Sequence, residues 1–301
     1  MPVFNAAPFL KPAIESVLRQ TLADFEFLVF DDGSSDDSLK ILEAYARRDS
    51  RVQVRSREHR GYAPLLNEGL QLARGHYYAR MDADDVVAPR RLERQVAFLE
   101  ANPDCSAVGT QVLLVDPDGE AVNRAEHPLD HAEIDAGHMR GVFQMTHASI
   151  VMRADALRRI GGYHTEYEPA EDFDLLLRLA EVGRLANLPD YLYEYRMHPQ
   201  QVTVRRYERQ QSAMQEALTL ACRRRGTAMP HQGPFVHPRQ EAPWQVHVVW
   251  AECATRAGFR RAALKHAWLG VRLRPWSRTA WRVLRAAAAV KRATPADDQG
   301  A

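Results

Sequence analysis

Strand-like apolar runs alternate with helical patterns through the first third of this chain, and two of those runs end abruptly in aspartates. Phe25 to Phe30 runs into Asp31-Asp32-Gly33-Ser34-Ser35-Asp36, and His76 to Met81 runs into Asp82-Ala83-Asp84-Asp85. Between them, Leu39, Leu42 and Tyr45 make one helical face, Arg51 to Arg55 alternates as a strand, and Leu65, Leu66, Leu70 and Ala73 continue as a helix that stops at Gly75. Ahead of them, Ile14, Val17, Leu18 and Leu22 predict a helix over 11–22, with Pro12 in its first turn. This βαβα alternation predicts an α/β fold with a mostly parallel sheet, in which ligands bind at the carboxyl ends of the strands. Both aspartate clusters stand at such ends.

Further along, the pattern gives a helix over 90–101 after Pro89, a strand from Cys105 to Val115 closed by the turn Asp116-Pro117-Asp118-Gly119, and an irregular polar stretch over 120–147. Ser149 to Arg153 reads as a strand, Ala154 to Ile160 as a short helix, and Asp172 to Val182 as a helix ending at Gly183. Residues 207–225 look helical. Gly226, Pro230, Gly233, Pro234 and Pro238 make 226–243 a linker, and two or three Ala/Arg-rich helices fill 244–292. The expected division is therefore a catalytic domain over 1–206, a helix and linker over 207–243, a basic helical extension over 244–292 and a disordered tail over 293–301.

Net charge is +1, but residues 251–301 hold 11 Lys/Arg against 3 Asp/Glu, leaving 29 against 36 for residues 1–250 from totals of 40 and 39. The catalytic part is mildly acidic and the tail basic. Cys105, Cys222 and Cys253 are an odd, widely spaced set, which argues against a disulfide framework or a zinc site and fits a reducing cytoplasm. No apolar stretch reaches the roughly 18 residues of a membrane span, and the N-terminus carries no export signal. A cytoplasmic protein is expected, peripheral on the inner face of the cell membrane if the basic tail meets lipid.

Asp82 and Asp84, at alternate positions, supply the hard oxygen ligands that suit Mg²⁺ or Mn²⁺, and such a cation offsets the charge of a departing diphosphate. Two aspartates in a loop are more often a solvated turn. Here they follow a buried-type strand, in a chain with a second aspartate pair at the end of an earlier strand, and that favours a nucleotide-activated sugar as substrate. One of Asp31 and Asp32 is expected to accept a hydrogen bond from the base or ribose, whereas Asp36 reads as a helix cap. Glu171 and Asp172 open an amphipathic helix, where capping by the macrodipole is the ordinary reading. Sugar transfer with inversion requires one carboxylate to take the proton of the acceptor hydroxyl, and Asp172 is the candidate. Asp174 lies two residues on and should point elsewhere.

Taken in order, Pro2-Val3-Phe4-Asn5, Gln20-Thr21 followed by Phe25-Glu26, Asp31-Asp32-Gly33-Ser34, Ala79-Arg80-Met81-Asp82-Ala83-Asp84-Asp85, Gly161-Gly162-Tyr163 and Glu171-Asp172 resemble family 2 glycosyltransferases, over roughly residues 1 to 200. The resemblance implies the GT-A fold, a UDP-, GDP- or dTDP-linked sugar donor, Mg²⁺ or Mn²⁺, and inversion at the anomeric carbon. By position it puts Pro2, Phe4, Asn5 and the Asp31-Asp32 pair at the nucleotide, Asp82 at the ribose side and metal, Asp84 at the metal, Asp172 as base, and Glu171 placing the acceptor. Asn67 and Arg80 match positions near the nucleotide, and His147 falls where the acceptor side is built. Tyr195-Arg196-Met197-His198 resembles the Y-R-x-H segment of the family, which implies His198 at the metal or diphosphate. Family members carry about five further apolar residues ahead of the Pro2 segment, forming the central strand; either Met1 is an internal methionine, which is the expectation, or this version lacks strand pairing for a core element and part of the uracil pocket.

The basic tail interleaves Arg256, Arg260, Arg261, Lys265, Arg272, Arg274, Arg278, Arg282 and Arg285 with Trp268, Leu273, Trp276, Trp281 and Leu284. The plain expectation is a solvated face on helices packing their Ala/Leu/Trp side inward; the sharper one is an anionic membrane surface as partner, bringing the enzyme to a glycan or lipid-linked acceptor. Nucleic acid is not expected, for want of a recognition motif. A sugar-1-phosphate nucleotidyltransferase would show a Gly-rich, Arg-containing loop after the first strand, which Pro2 to Pro12 lacks. A degenerate sugar-nucleotide binding protein without turnover is the non-enzymatic alternative.

Overall fold

The structure is a computed structural model that describes residues 1–198, 207–229 and 242–290. Three parallel strands, β1 (Pro2–Val3), β2 (Phe27–Asp31) and β3 (Val52–Ser56), lie in that order, with Val3 opposite Asp31 and Phe27 opposite Val52. The Met1 amine donates to Leu28 O at 2.8 Å, extending that ladder. Two helices cross between these strands, α1 (Ala7–Leu18) and α2 (Ser38–Ala46), as parallel pairing requires. Leu10, Ala13, Ile14 and Val17 form the buried stripe of α1.

α1 starts four residues ahead of the expected 11 and ends at Leu18, because its N–H groups find caps in the loop before α2: Ala6 N–H donates to Ser38 Oγ and Ala7 N–H to Asp36 Oδ2, both at 3.0 Å. Pro8 thus takes the first-turn place, and Pro12 lies inside the helix. Asp36 caps the helix that follows it, Oδ1 accepting from Ser38 N–H at 3.0 Å, and caps α1 as well through Oδ2.

The second sheet has the order β4 (Tyr77–Ala79), β8 (Val151–Arg153), β6 (Cys105–Val115), β9 (Arg184–Arg196) and β5 (Val86–Val87), with β7 (Ala121–Ala125) on β6. Only β6 and β9 run parallel here; the remaining pairs are antiparallel. The parallel expectation therefore holds for half the molecule. A tight turn at Asp116–Gly119 folds β7 straight back on β6, which only an antiparallel pair permits. β5 and β9 had no counterpart among the expected elements, and 120–147 is more regular than expected, holding β7 and α5 (His131–His138).

α3 (Tyr62–Leu72), α4 (Arg91–Ala101), α6 (Ala154–Arg159), α7 (Glu171–Val182) and α8 (Tyr207–Arg225) pack around the sheets. One apolar cluster, including Val3, Ile14, Val29, Met81, Val112 and Tyr193, joins the two sheets beneath the acidic loop. Three further helices, α9 (Pro243–Arg256), α10 (Arg260–Leu273) and α11 (Arg278–Ala289), form the extension, its core made of Ala251, Ala263, Ala267, Ala280 and Ala287 with Val122 of β7. Most of the expected linker, 230–241, and the 293–301 tail lie outside the described residues. Among the described residues no helix is long and apolar enough to cross a membrane.

Candidate active site

The carboxyl end of β2 delivers Asp31 and Asp32 to one edge of a cleft. Asp31, the last strand residue, accepts from Ser56 Oγ at 3.2 Å. Asp32 holds the loop over it: its carboxylate accepts from Arg60 N–H at 2.8 Å and Gly61 N–H at 3.2 Å, and His59 Nδ1 lies 2.9 Å away. Gly61 has φ +90°, and a Cβ there would meet the Glu168 carboxylate at 3.1 Å, so only glycine suits the position. Phe4 is 50% exposed and tilts over His59, ring centroids 4.6 Å apart. Pro2 is buried in β1, and Asn5 sits at φ +49°, its Oδ1 accepting from Ser35 N–H at 2.8 Å. Pro2 and Asn5 thus build the frame, while Phe4 and His59 present flat faces beside Asp32. His59 went unnoticed in the sequence, where a lone loop histidine carries no pattern.

The acidic loop after β4 splits its three carboxylates among three jobs. Asp82 Oδ1 accepts from Arg80 Nη2 at 2.7 Å and from the Tyr62 hydroxyl. Asp84 Oδ2 lies 2.8 Å from His198 Nε2, just past the end of β9. Asp85 is buried and accepts from Tyr193 Oη and Arg196 N–H, both at 2.7 Å; burial, with Asp84 and Asp82 nearby, pushes its carboxyl well above the ordinary range. Asp85 is therefore the tie between the loop and β9. Arg196 completes it, donating through Nε to Asp84 O at 2.7 Å and through Nη1 to Asp116 O at 3.2 Å. Tyr62, Asp85, Tyr193 and Arg196 were all missed as site residues; Tyr193-Glu194-Tyr195-Arg196 reads as a strand only once β9 is known.

The third group opens α7. Asp172 is half-buried and accepts from Phe173 N–H at 2.8 Å; burial raises its carboxyl to about 6 against the opposing pull of that N–H and of Arg80. Glu171 is 6% exposed, its Oε2 has no hydrogen-bond partner, and burial followed by the Asp172 charge raises it to about 8. Asp174 points away, as expected, pairing with Arg178 at 2.6 Å and His164 at 3.1 Å. Arg80, 1% exposed, is the cation of the site: it pairs with Asp82 and its field also reaches Glu171 and Asp172.

Two expected site residues have other work. Asn67 uses both ends of its amide on Tyr163, Nδ2 donating to the carbonyl at 2.7 Å and Oδ1 accepting from N–H at 2.8 Å, which fixes the Gly161–Tyr163 turn. His147 is 8% exposed with Nε2 2.9 Å from Tyr163 Oη, and burial holds it well below the usual histidine range. It is a buried histidine tied to Tyr163.

Among the described residues no three or more His, Cys, Asp or Glu side chains stand together as a metal cage. Asp84 and His198 form an open pair. An ion such as Mg²⁺ or Mn²⁺ is usually held by one or two carboxylates plus substrate phosphates and water, so the pair fits such an ion, with Asp82 turned toward Arg80.

The model of glycosyl transferase family 2 matches residues 1–161. The chain is 37% identical over 201 residues to the putative glycosyltransferase EpsE of Bacillus subtilis, covering 65% of this chain and 71% of that one. It is 33% identical over 202 residues to the amylovoran biosynthesis glycosyltransferase AmsE of Erwinia amylovora, covering 65% and 74%. Among solved structures, the mannosyltransferase PcManGT of Pyrobaculum calidifontis, in complex with GDP-Man and Mn²⁺, superposes with TM-score 0.56 at 22% identity over 95% of this chain and 84% of that one. That likeness shows the GT-A fold.

Proposed function

The chain belongs to glycosyl transferase family 2, and we propose that it moves a hexosyl group, with inversion, from a UDP-, GDP- or dTDP-linked sugar to a hydroxyl of a glycan or lipid-linked acceptor in cell-surface polysaccharide or glycoconjugate assembly. The observation that carries this reading is the gathering of acidic groups around Arg80: Asp82 pairs with it at 2.7 Å, the half-buried Asp172 feels its charge, and Asp84 of the same loop meets His198 at 2.8 Å. Residues 1–206 are taken as the catalytic unit.

Asp172, ionised at neutral pH, takes the proton of the acceptor hydroxyl as that oxygen bonds to the anomeric carbon; the bond from that carbon to the diphosphate oxygen breaks, and the diphosphate leaves with the electron pair. Asp84 and His198 would hold the Mg²⁺ or Mn²⁺, which supplies positive charge beside the departing diphosphate. Glu171, neutral at pH 7, donates a hydrogen bond to the incoming acceptor without adding a second negative charge next to the base. Asp32, Phe4 and His59 receive the nucleobase, and Asp82, steadied by Arg80 and Tyr62, the ribose.

Asp172→Asn tests the assignment against the binding-only alternative. With UDP-, GDP- and dTDP-sugars and Mn²⁺ present, the variant should keep donor affinity and lose turnover by roughly a thousandfold, within the range for a missing general base. Turnover preserved in the variant refutes the base; no turnover by the parent protein with any of these donors favours a binding protein.

A further inference from the structure

The appended helices bury alanine and valine; Trp244 packs on that core and Trp250 against His266, whereas Trp268, Trp276 and Trp281 face outward. In α11, Ala280, Val283 and Ala287 face the core, and Arg278, Trp281, Arg282 and Arg285, at i, i+3, i+4 and i+7, occupy the opposite, exposed face. On α10, Trp268 and Arg272 continue the exposed side, with the Arg272 guanidinium 5.4 Å from the Trp268 ring centroid. Trp276, in the turn between the helices, is 81% exposed; Trp268 and Leu273 are both 52% exposed. This corrects the plain expectation that the tryptophans pack inward.

The charge around these rings is of one sign. From Cys253 to Ala296 the sequence contains no aspartate or glutamate. Arg282 reaches back to Glu252 at 3.4 Å, while Arg278 and Arg285 have no carboxylate partner among the described residues. We propose that the α10–α11 corner docks on the surface of an anionic lipid bilayer, its tryptophans entering the headgroup layer and its arginines meeting the phosphates. Indole rings favour that layer because one edge is polar and the body apolar, and cations near an anionic leaflet are each attracted to it. Two copies of the chain meeting through this corner would bring like charges together, so self-association is disfavoured. The corner lies a little over two helical turns, about 12 Å, beyond Lys265, which pairs with the Asp116 turn that Arg196 joins to the Asp84 loop. Docking therefore holds the acidic loop close to a bilayer carrying the acceptor. The proposal goes beyond sugar transfer and stands whether or not the transfer reading does.

Flotation of the full chain with phosphatidylglycerol-containing and with pure phosphatidylcholine vesicles tests it. Binding is expected to the anionic vesicles alone and to weaken at high salt. Arg278→Gln with Arg285→Gln should lower partitioning roughly thirtyfold, about fivefold for each cation compounded across the two. The Lys versions of both should retain it, and Trp276→Ser with Trp281→Ser should lower it roughly tenfold or more, with the thermal midpoint lowered only by the lost Trp281–Pro275 hydrogen bond. No flotation with anionic vesicles, equal binding to neutral ones, or binding untouched by both pairs overturns the proposal. So does a dimer in light scattering that the tryptophan pair dissolves while vesicles are ignored.

Discussion

His198 Nε2 stands 2.8 Å from Asp84 Oδ2 across 114 residues of sequence, brought there by pairing of β9 with β5 immediately after the acidic loop. A carboxylate beside an imidazole is the donor set proposed above for Mg²⁺ or Mn²⁺. His198→Ala should raise the Mn²⁺ concentration for half-maximal activity roughly ten- to hundredfold, and Asp84→Asn by more. Calorimetric titration of Mn²⁺ in the presence of UDP should show the same order. Unchanged Mn²⁺ affinity in both variants would reduce the pair to a loop contact.

The raised carboxyl of Asp172 sets a pH profile. With a value of about 6, the base is ionised above that pH and protonated below it, so kcat/KM should fall about tenfold per unit as pH drops below 6. Initial rates from pH 4.5 to 7.5 at fixed Mn²⁺ measure it. A flat profile across that range removes Asp172 from the rate equation.

Glu171 makes the opposite bargain with stability. Its folded value of about 8 lies above the ordinary 4.5, so the contribution of its neutral form to folding is complete below about 4.5 and is lost as pH rises through 8. Glu171→Gln removes that loss. Its thermal midpoint should match the parent at pH 4.5 and exceed it at pH 9, in melts monitored by circular dichroism; a gap that does not grow with pH would contradict the burial argument.

Asn67 separates a framework role from a nucleotide role. Asn67→Ala breaks two hydrogen bonds to the Tyr163 backbone and should cost about 1–3 kcal/mol of stability while the KM for the donor stays within twofold, about the scatter of a lost backbone contact. A raised donor KM with unchanged urea midpoint would return Asn67 to the nucleotide.

The carboxylate triad was legible because it lies at ends of elements that local sequence marks: apolar run, then aspartates, for Asp31 and Asp82, and a first helical turn for Asp172. What was not legible depends on long-range pairing. β9 is a strand whose charged and proline residues hide its period, yet it delivers Tyr193, Arg196 and His198 to the loop. His147 and Asn67 looked like site residues by position, but whether a polar side chain meets a ligand or the backbone of Tyr163 is decided by packing of α3 against the Gly161–Tyr163 turn, which no periodicity reports. Trp268, Trp276 and Trp281 failed the same way: alanines fill the helix core so tightly that these large rings are left outside.

Asp116 ties the extension to the acidic loop, and its removal should be felt at both. The side chain is fully buried and accepts from Lys265 Nζ, from His266 Nε2 at 2.8 Å and from the N–H groups of Asp118 and Glu120; burial opposes its ionisation, but these donors hold its carboxyl well below the usual range. Its carbonyl accepts from Arg196, which also holds Asp84 O. Asp116→Ala leaves the buried His266 Nε2 without its carboxylate beside a cavity, and Lys265 with only Asp118 at 2.6 Å and Glu120 at 3.9 Å, and should cost about 3 kcal/mol, read as a lowered urea midpoint. Lys265→Met, which deletes a partly exposed partner, should cost less, because solvent already screens that ammonium. If the turn also positions the loop, Asp116→Ala raises the Mn²⁺ requirement at temperatures where it remains folded, whereas Lys265→Met leaves it unchanged; equal Mn²⁺ requirements in the parent and Asp116→Ala would confine the turn to holding the helices.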